Sequence, residues 1–347
     1  MSLKRVWTIC LLATVLSSFA CSHSSKRSGL FPILQKGKTG FIDRKGQVVI
    51  APQFAQADNF SEGLATVKVG EKYGFINTKG ELVINPQFDG AASFSGGMAA
   101  VTIDKKSGLI DKKGTMIVSP QFDSVEGFAE GLCAVRLDDK WGFIDNTGKY
   151  AINLQYEAAQ PFVDGLAAVK NNGKYGFIDK TGKVVIPFQF DFVPVWFFAV
   201  KEGLVSWPMP VLIGKKLGFV DRTGKYVVNP QYDEVCPFHE GVACVKSDGK
   251  YGFIDGGGKF VINPQFDSVS EFSDGQAVVG IGNRYGFIDK SGKYVINPQF
   301  DSASLFIDGL SYVRLTGKDA KGMYGYIDQT GRFVYGPIEI EPPVSQE

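Results

Sequence analysis

Apolar residues along the chain fall into short runs rather than the three-and-four spacing of an amphipathic helix. In one well-formed stretch the runs are 166–170, 175–179, 183–186 and 190–195. Each has strand length and is too short for an ordinary helix. Turn chemistry separates them. Asp179-Lys-Thr-Gly182 places aspartate at the first position of a type I turn and glycine at a left-handed position, the signature of a short hairpin loop. Asn172-Gly173 is a second hairpin signal between the first and second runs. Pro86, Pro120, Pro230, Pro264 and Pro298 close the third run in their stretches, where the strand stops. The pattern predicts four-stranded antiparallel meanders. The second run is apolar on both faces, with Tyr73 and Phe75 on one and Gly74 and Ile76 on the other. A sheet of that kind is covered on both sides. The glycine then lets a neighbouring unit approach closely.

The cover repeats along the chain. The glycine of the aromatic-Gly-aromatic core recurs at Gly40, Gly74, Gly108, Gly142, Gly176, Gly218, Gly252, Gly286 and Gly325, with successive gaps of 34, 34, 34, 34, 42, 34, 34 and 39. One unit reads Tyr251-Gly-Phe-Ile-Asp255, then Gly-Gly-Gly-Lys, then Phe260-Val-Ile-Asn-Pro-Gln-Phe-Asp267 and Phe272-Ser-Asp-Gly275. This text resembles the bacterial WG (KWG) repeat family over about Leu30 to Pro337. Trp141-Gly142 is the one literal Trp-Gly pair, and Thr39, Ser107 and Leu217 depart from the pattern by replacing the first aromatic. The expected fold class is all-β: nine antiparallel β-meander repeats, most of 34 residues, each needing its neighbours to fold. Stacked units of this kind form an open superhelical array or a closed propeller-like ring. The chain starts and stops near the same phase of the repeat and spares no strand to interleave its ends. That favours the open stack, with the ring as the alternative.

Composition adds a compartment. Lys4 and Arg5 precede an apolar run at 6–16, followed by Ser18-Phe-Ala20-Cys21. This reads as a signal peptide over 1–20. The small residue before Cys21 resembles a lipobox, which implies lipidation of Cys21; Ser18-x-Ala20 also fits an ordinary cleavage site of a secreted or periplasmic protein. Residues 21–29 form a polar tether, 30–340 the repeat domain and 341–347 a C-terminal tail. Ser22 in place of aspartate implies outer-membrane sorting, so the expectation is an exported, lipid-anchored protein of the outer membrane or cell surface. The net charge is +1, from 37 basic and 36 acidic residues, without the basic excess of a nucleic-acid binder.

Departures from the period are candidate sites. The longest interval holds an aromatic insertion at 196–211. Its Trp196, Phe197, Phe198, Trp207 and Met209 form either an exposed contact surface for a protein or glycan, or a plug within the array. The second insertion, 316–322, is polar and reads as a longer loop. Cys236 and Cys244 flank the turn His239-Glu-Gly241, and in the register that pairs 238 with 242 they are partners for a disulfide in an oxidising compartment. Cys133 reads as a small core residue. The repeated aspartates, such as Asp43 and Asp179, read as turn caps rather than calcium ligands. Lys174 and Lys250 read as solvated turn charges, and His239 as a surface turn residue. No metal, cofactor or nucleophile motif appears. The expected function is a non-enzymatic envelope protein that presents a repeat-built β surface to a protein partner. The alternatives are a carbohydrate or cell-wall binder and a hydrolase using a carboxylate pair.

Overall fold

The computed structural model describes residues 28–194, 206–316 and 322–339. Cys21, Trp196, Phe197 and Phe198 lie outside these residues. The described chain forms nine small antiparallel sheets, here called blades 1 to 9 in chain order. In blade 2 the strands Gln56–Ala57, Leu64–Val69, Lys72–Asn77 and Leu82–Phe88 lie side by side in that order. The first is the innermost: in blades 4 and 5 the corresponding strands Ser124–Ala129 and Ala158–Val163 touch each other. The last is the outer strand, and its first two residues are both exposed. The meander predicted from sequence is therefore shifted by one strand. The fourth apolar run bends at the aspartate after Phe88 or Phe190, and the residues beyond the bend pair with the next blade. The chain is handed from blade to blade at that point.

The central glycine of each third strand meets its own blade rather than the neighbour. A Cβ on Gly74 would lie 2.5 Å from the Ile84 carbonyl oxygen and 2.7 Å from the Pro86 nitrogen. The outer strand bulges across the glycine at this point, between the Tyr73–Phe88 and Phe75–Ile84 pairs. Interblade cover is supplied instead by an aromatic pair that links most blades to the next, with Leu109 against Phe128 in its place between blades 3 and 4. Phe75 of blade 2 packs at 4.9 Å on Phe94 of blade 3, and Phe253 of blade 7 packs at 4.9 Å on Phe272 of blade 8. Such ring pairs contribute about 1 kcal/mol beyond their burial. Turn hydroxyls add a second tie: Ser61 Oγ donates to the Phe94 carbonyl at 2.6 Å, and Ser273 Oγ to the Phe306 carbonyl at 2.7 Å.

Of the two stackings the sequence allows, the structure has the ring. Among the described residues blade 1 has three strands, Phe31–Gln35, Lys38–Ile42 and Val48–Phe54. Blade 9 packs directly on it through Phe31, Ile33, Ile42, Leu310, Tyr324, Tyr326 and Tyr335. No strand is exchanged among the described residues, so the expected lack of a spare strand holds while the open stack it favoured does not. Two faces covered by side chains close a ring as well as a shared strand does. At the hub, Leu305 of blade 9 reaches the core of blades 5 and 6.

Candidate interaction surfaces

Nearly every charged pattern in the repeat has a structural task. Each aspartate of the turn between third and outer strands accepts backbone N–H groups two and four residues on. Asp145 Oδ1 takes the N–H of Thr147 at 2.8 Å and of Lys149 at 3.1 Å, plus the Thr147 hydroxyl at 2.7 Å. This is the turn-capping role. Among the described residues no group of three or more His, Cys, Asp or Glu is placed to hold a metal ion.

In blades 2, 3, 5, 6, 7 and 8 a second carboxylate ends the outer strand and pairs with the base that opens the third strand. Asp89 Oδ1 accepts from Lys72 of its own blade at 2.6 Å, and Oδ2 from the Asp104 N–H of the next blade at 2.9 Å. Lys174 and Lys250 make the same ion pair with Asp191 and Asp267, each at 2.5 Å. They are half exposed, yet they are braces rather than free turn charges. On the opposite face of the ring, Glu62 of blade 2 accepts from Gly97 N at 3.0 Å and pairs with Lys112 at 3.1 Å, both in blade 3. Glu130–Lys180 and Glu240–Lys290 repeat that bridge at 3.0 and 3.2 Å. Where Gly96 replaces the acid, Asn146 replaces the base of the following blade. Arg44 of blade 1 pairs with Asp308 of blade 9 at 3.1 Å, so the closing interface obeys the same rule as the others.

These contacts set the acid response. The Thr147 hydroxyl and the adjacent N–H groups hold the Asp145 carboxyl below its ordinary range. The Lys72 ammonium and the Asp104 N–H do the same for Asp89. Asp123, Asp191 and Asp267 behave alike through Lys106, Lys174 and Lys250. A carboxylate depressed in the folded state stabilises above its unfolded pKa of about 3.9, and that contribution disappears as pH falls through the folded value. The melting temperature is expected to be flat from neutral pH down to about 5 and to fall below about 4. Calorimetry across that range is the check; a melting point unchanged at about pH 3 would remove these turns from the account of stability.

Cys236 and Cys244 are joined by a disulfide, with Cα atoms 5.0 Å apart. The Cys236 N–H donates to the Cys244 carbonyl at 3.0 Å, so the bond staples a hairpin already in register. His239 lies within that hairpin, and its Nδ1 contacts the Phe272 carbonyl of blade 8. It takes the place that Ser61 and Ser273 hold elsewhere and is an interblade tie, not a simple surface residue. Replacing both cysteines with alanine is expected to lower stability by about 2.5 kcal/mol through loss of the loop constraint. Denaturant unfolding with and without reductant measures it, and equal midpoints in both conditions would contradict it. Cys133 is a free, buried thiol whose pKa is pushed up by burial, and it donates to the Glu126 carbonyl at 2.9 Å.

The described part of the aromatic insertion is not an exposed contact surface. Met209 is 1% exposed, in the core shared by blades 5 and 6. Trp207 packs at 5.3 Å on Phe177 of blade 5, filling the place of the interblade phenylalanine. Its indole N–H donates to the Val163 carbonyl at 3.4 Å. Both residues are bulky because this blade joins the ring by a tryptophan instead of the usual ring pair. Sequence reasoning missed the rims: Val48, Val49, Leu82, Tyr150, Tyr226 and Phe260, among others, are exposed at the start of outer strands. The signal was the apolar pair opening each third run, which reads from sequence only as buried.

Comparison with known proteins supplies the family. No curated protein matches the chain significantly in sequence. Among solved structures, PorZ of Porphyromonas gingivalis, described as a bacterial surface component of the type-IX secretion system, is 9% identical with a TM-score of 0.35; the match covers 93% of this chain and 51% of PorZ. Kluyveromyces lactis Hsv2 is 10% identical with a TM-score of 0.38, covering 77% of this chain and 94% of its own. The chain thus spans about half the length of PorZ. The model of the WG containing repeat matches at 40–73, 73–106, 108–141, 141–175, 175–205, 218–251, 251–285 and 285–318. Eight matched repeats and a ninth blade of the same build place this chain in the WG-repeat family.

Proposed function

We propose that the protein is a non-enzymatic interaction scaffold of the cell envelope, held there by lipid on Cys21 and presenting its repeat-built ring to a protein partner. The observation that carries the reading is the use of charge. The repeated carboxylates are spent on turn caps and interblade ties, as in Asp145 with Thr147 and Glu62 with Lys112. What varies between blades is the rim, where side chains are exposed and free to contact another molecule. A scaffold needs that division of labour, since a stiff frame lowers the entropic cost of binding.

Carbohydrate binding is the second reading. Tyr150, Tyr226 and Phe260 stand exposed on outer strands and offer aromatic faces to sugar rings. Capture from envelope extract on the full ring, beside sedimentation with purified wall material, separates the two. Specific protein capture is expected. Sedimentation with the wall and no protein capture would replace the scaffold by the glycan reading. Intact mass of the native protein reports whether Cys21 is lipidated.

A further inference from the structure

The turn between the third and outer strands carries a base in every blade besides those already paired. In blades 1, 2 and 3 it is the third residue of the turn, Lys45, Lys79 and Lys113. In blades 4 to 8 it is the residue directly before the outer strand, from Lys149 in blade 4 to Lys293 in blade 8. All eight lysines are exposed, and among the described residues none has a carboxylate within ion-pair distance. In blade 9 the base is Arg332, which pairs with its own Asp328 at 3.4 Å. The capping residue of each turn is half-buried and bound to backbone N–H groups, as Asp145 is, so the ammonium group is the outer charge. Glu81 is the one acid in these turns beyond the capping position.

Each of these lysines stands beside exposed apolar surface. In blades 1 to 8 the first two residues of the outer strand include at least one large exposed hydrophobic, as Val48, Leu82, Tyr150 and Phe260. Blade 9 departs here too, since Phe333 and Val334 are half-buried. Base and apolar surface thus recur together around eight consecutive blades, on the face of the Glu62–Lys112 bridge. Nearer the axis of that face, Glu62, Glu130 and Glu240 are each answered by a lysine of the next blade. The chain enters the ring on the same side. Phe31 pairs with Ile42, next to the turn that begins at Asp43, and a Cβ on Gly29 would lie 3.5 Å from Arg44 Nε. Cys21 stands seven residues before Ser28, a span of at most about 25 Å when fully extended.

We infer that this face of the ring lies on a membrane, with its turn lysines on the headgroups of anionic phospholipid and the apolar residues beside them at the headgroup boundary. Ammonium groups with apolar side chains alongside are the combination that holds a protein at a charged bilayer surface. The repetition argues for a bilayer over a protein. A protein partner contacts a limited patch, whereas a feature present in eight blades suits a partner that is alike in every direction of its plane. Each lysine contributes little by itself, and eight on one face act together. The inference rests on the lipid anchor of the scaffold reading and adds orientation to it: lipid on Cys21 would hold the ring by the side that carries these lysines. The face of the Asp89–Lys72 pair is then the one turned toward a protein partner.

The test uses the full-length chain with Cys21→Ser, which takes no lipid, and vesicles of phosphatidylglycerol and phosphatidylcholine in equal parts. Cosedimentation is expected with these vesicles and not with phosphatidylcholine alone, and it should weaken as salt rises from about 0.05 to about 0.5 M. Lys149→Ala, Lys183→Ala, Lys225→Ala and Lys259→Ala together are expected to lower the partition coefficient about tenfold or more, with the melting temperature close to that of the parent chain. Lys38→Ala with Lys215→Ala, beside the turns of the opposite face, is expected to change nothing. Acetylation of lysines mapped by mass spectrometry needs no further variant: vesicles should shield Lys149, Lys225 and Lys293 and leave Lys215 open. Equal acetylation with and without vesicles, or shielding of Lys38 and Lys215 instead, overturns the inference. So does shielding by polyglutamate with none by vesicles, which would make the occupant an acidic protein. Native protein whose intact mass shows no lipid, with its turn lysines still shielded by vesicles, would lose the anchor and keep this face. Lipidated protein whose turn lysines stay open on vesicles would keep the anchor and lose the face.

Discussion

Gly74→Ala is expected to destabilise the ring by about 3 kcal/mol, more than an ordinary glycine-to-alanine change in a strand. The reason is geometric. The new methyl would lie 2.5 Å from the Ile84 carbonyl oxygen and 2.7 Å from the Pro86 nitrogen. Both are backbone atoms of the outer strand, and backbone cannot step aside as a flexible side chain does. To relieve the clash the outer strand has to leave the third strand, and Ile84 and Phe88 leave the core with it. Gly131→Ala is the control. Gly131 sits in a turn with φ at +87°, and a methyl there would meet nothing within 4 Å, so only the left-handed backbone is penalised, at about 1 kcal/mol. Urea midpoints of the two variants separate the effects. If they fall equally, the close approach is not what selects glycine in the third strand.

The repeat, the strand lengths and the capping aspartates were legible in the sequence because all of them are local. A type I turn needs its aspartate and glycine within four residues, and the third strand needs its glycine opposite the bulge. The assignment of the short strand was not legible. Gln56–Ala57 and Glu234–Val235 are two-residue strands, too short for alternation to show which neighbour they join. The insertion misled for a related reason. Trp207 reads as surplus hydrophobicity until Phe177 is seen beneath it. Ring closure was written in the sequence in a form that only the interblade geometry decodes. Glu62 with Lys112 and Gly96 with Asn146 show acid and base retained or lost together, and Asp308 finds a base in Arg44, near the other end of the chain. Exported location and lipid on Cys21 rest on residues outside the described chain and stand on sequence alone.

The closing interface gives the second large effect. In blades 1, 2, 4, 5, 6, 7 and 8 the residue after the central glycine is phenylalanine and in blade 3 it is Leu109, whereas blade 9 has Tyr326. Its ring packs at 5.6 Å on Phe31, and its hydroxyl donates to the Pro32 carbonyl at 2.8 Å in a buried setting. Tyr324 donates likewise to the Leu34 carbonyl. Among the described residues Pro32 and Leu34 lie in the inner edge strand of blade 1, where seven other blades set a fourth strand. Two phenols thus satisfy carbonyls of this edge strand, and Pro32 has no N–H in need of a partner. Tyr326→Ala is expected to cost about 4 kcal/mol, the range for emptying a buried aromatic site. Tyr326→Phe keeps the ring and strands the Pro32 carbonyl, at about 2 kcal/mol. In both variants the loss belongs to one seam. Amides of Phe31–Gln35 and Gly322–Asp328 should therefore exchange faster while those of Leu166–Asn171 in blade 5 change little. Uniform acceleration around all nine blades would instead mean that the seam is no weaker than any other interface and that the ring opens only by unfolding as a whole.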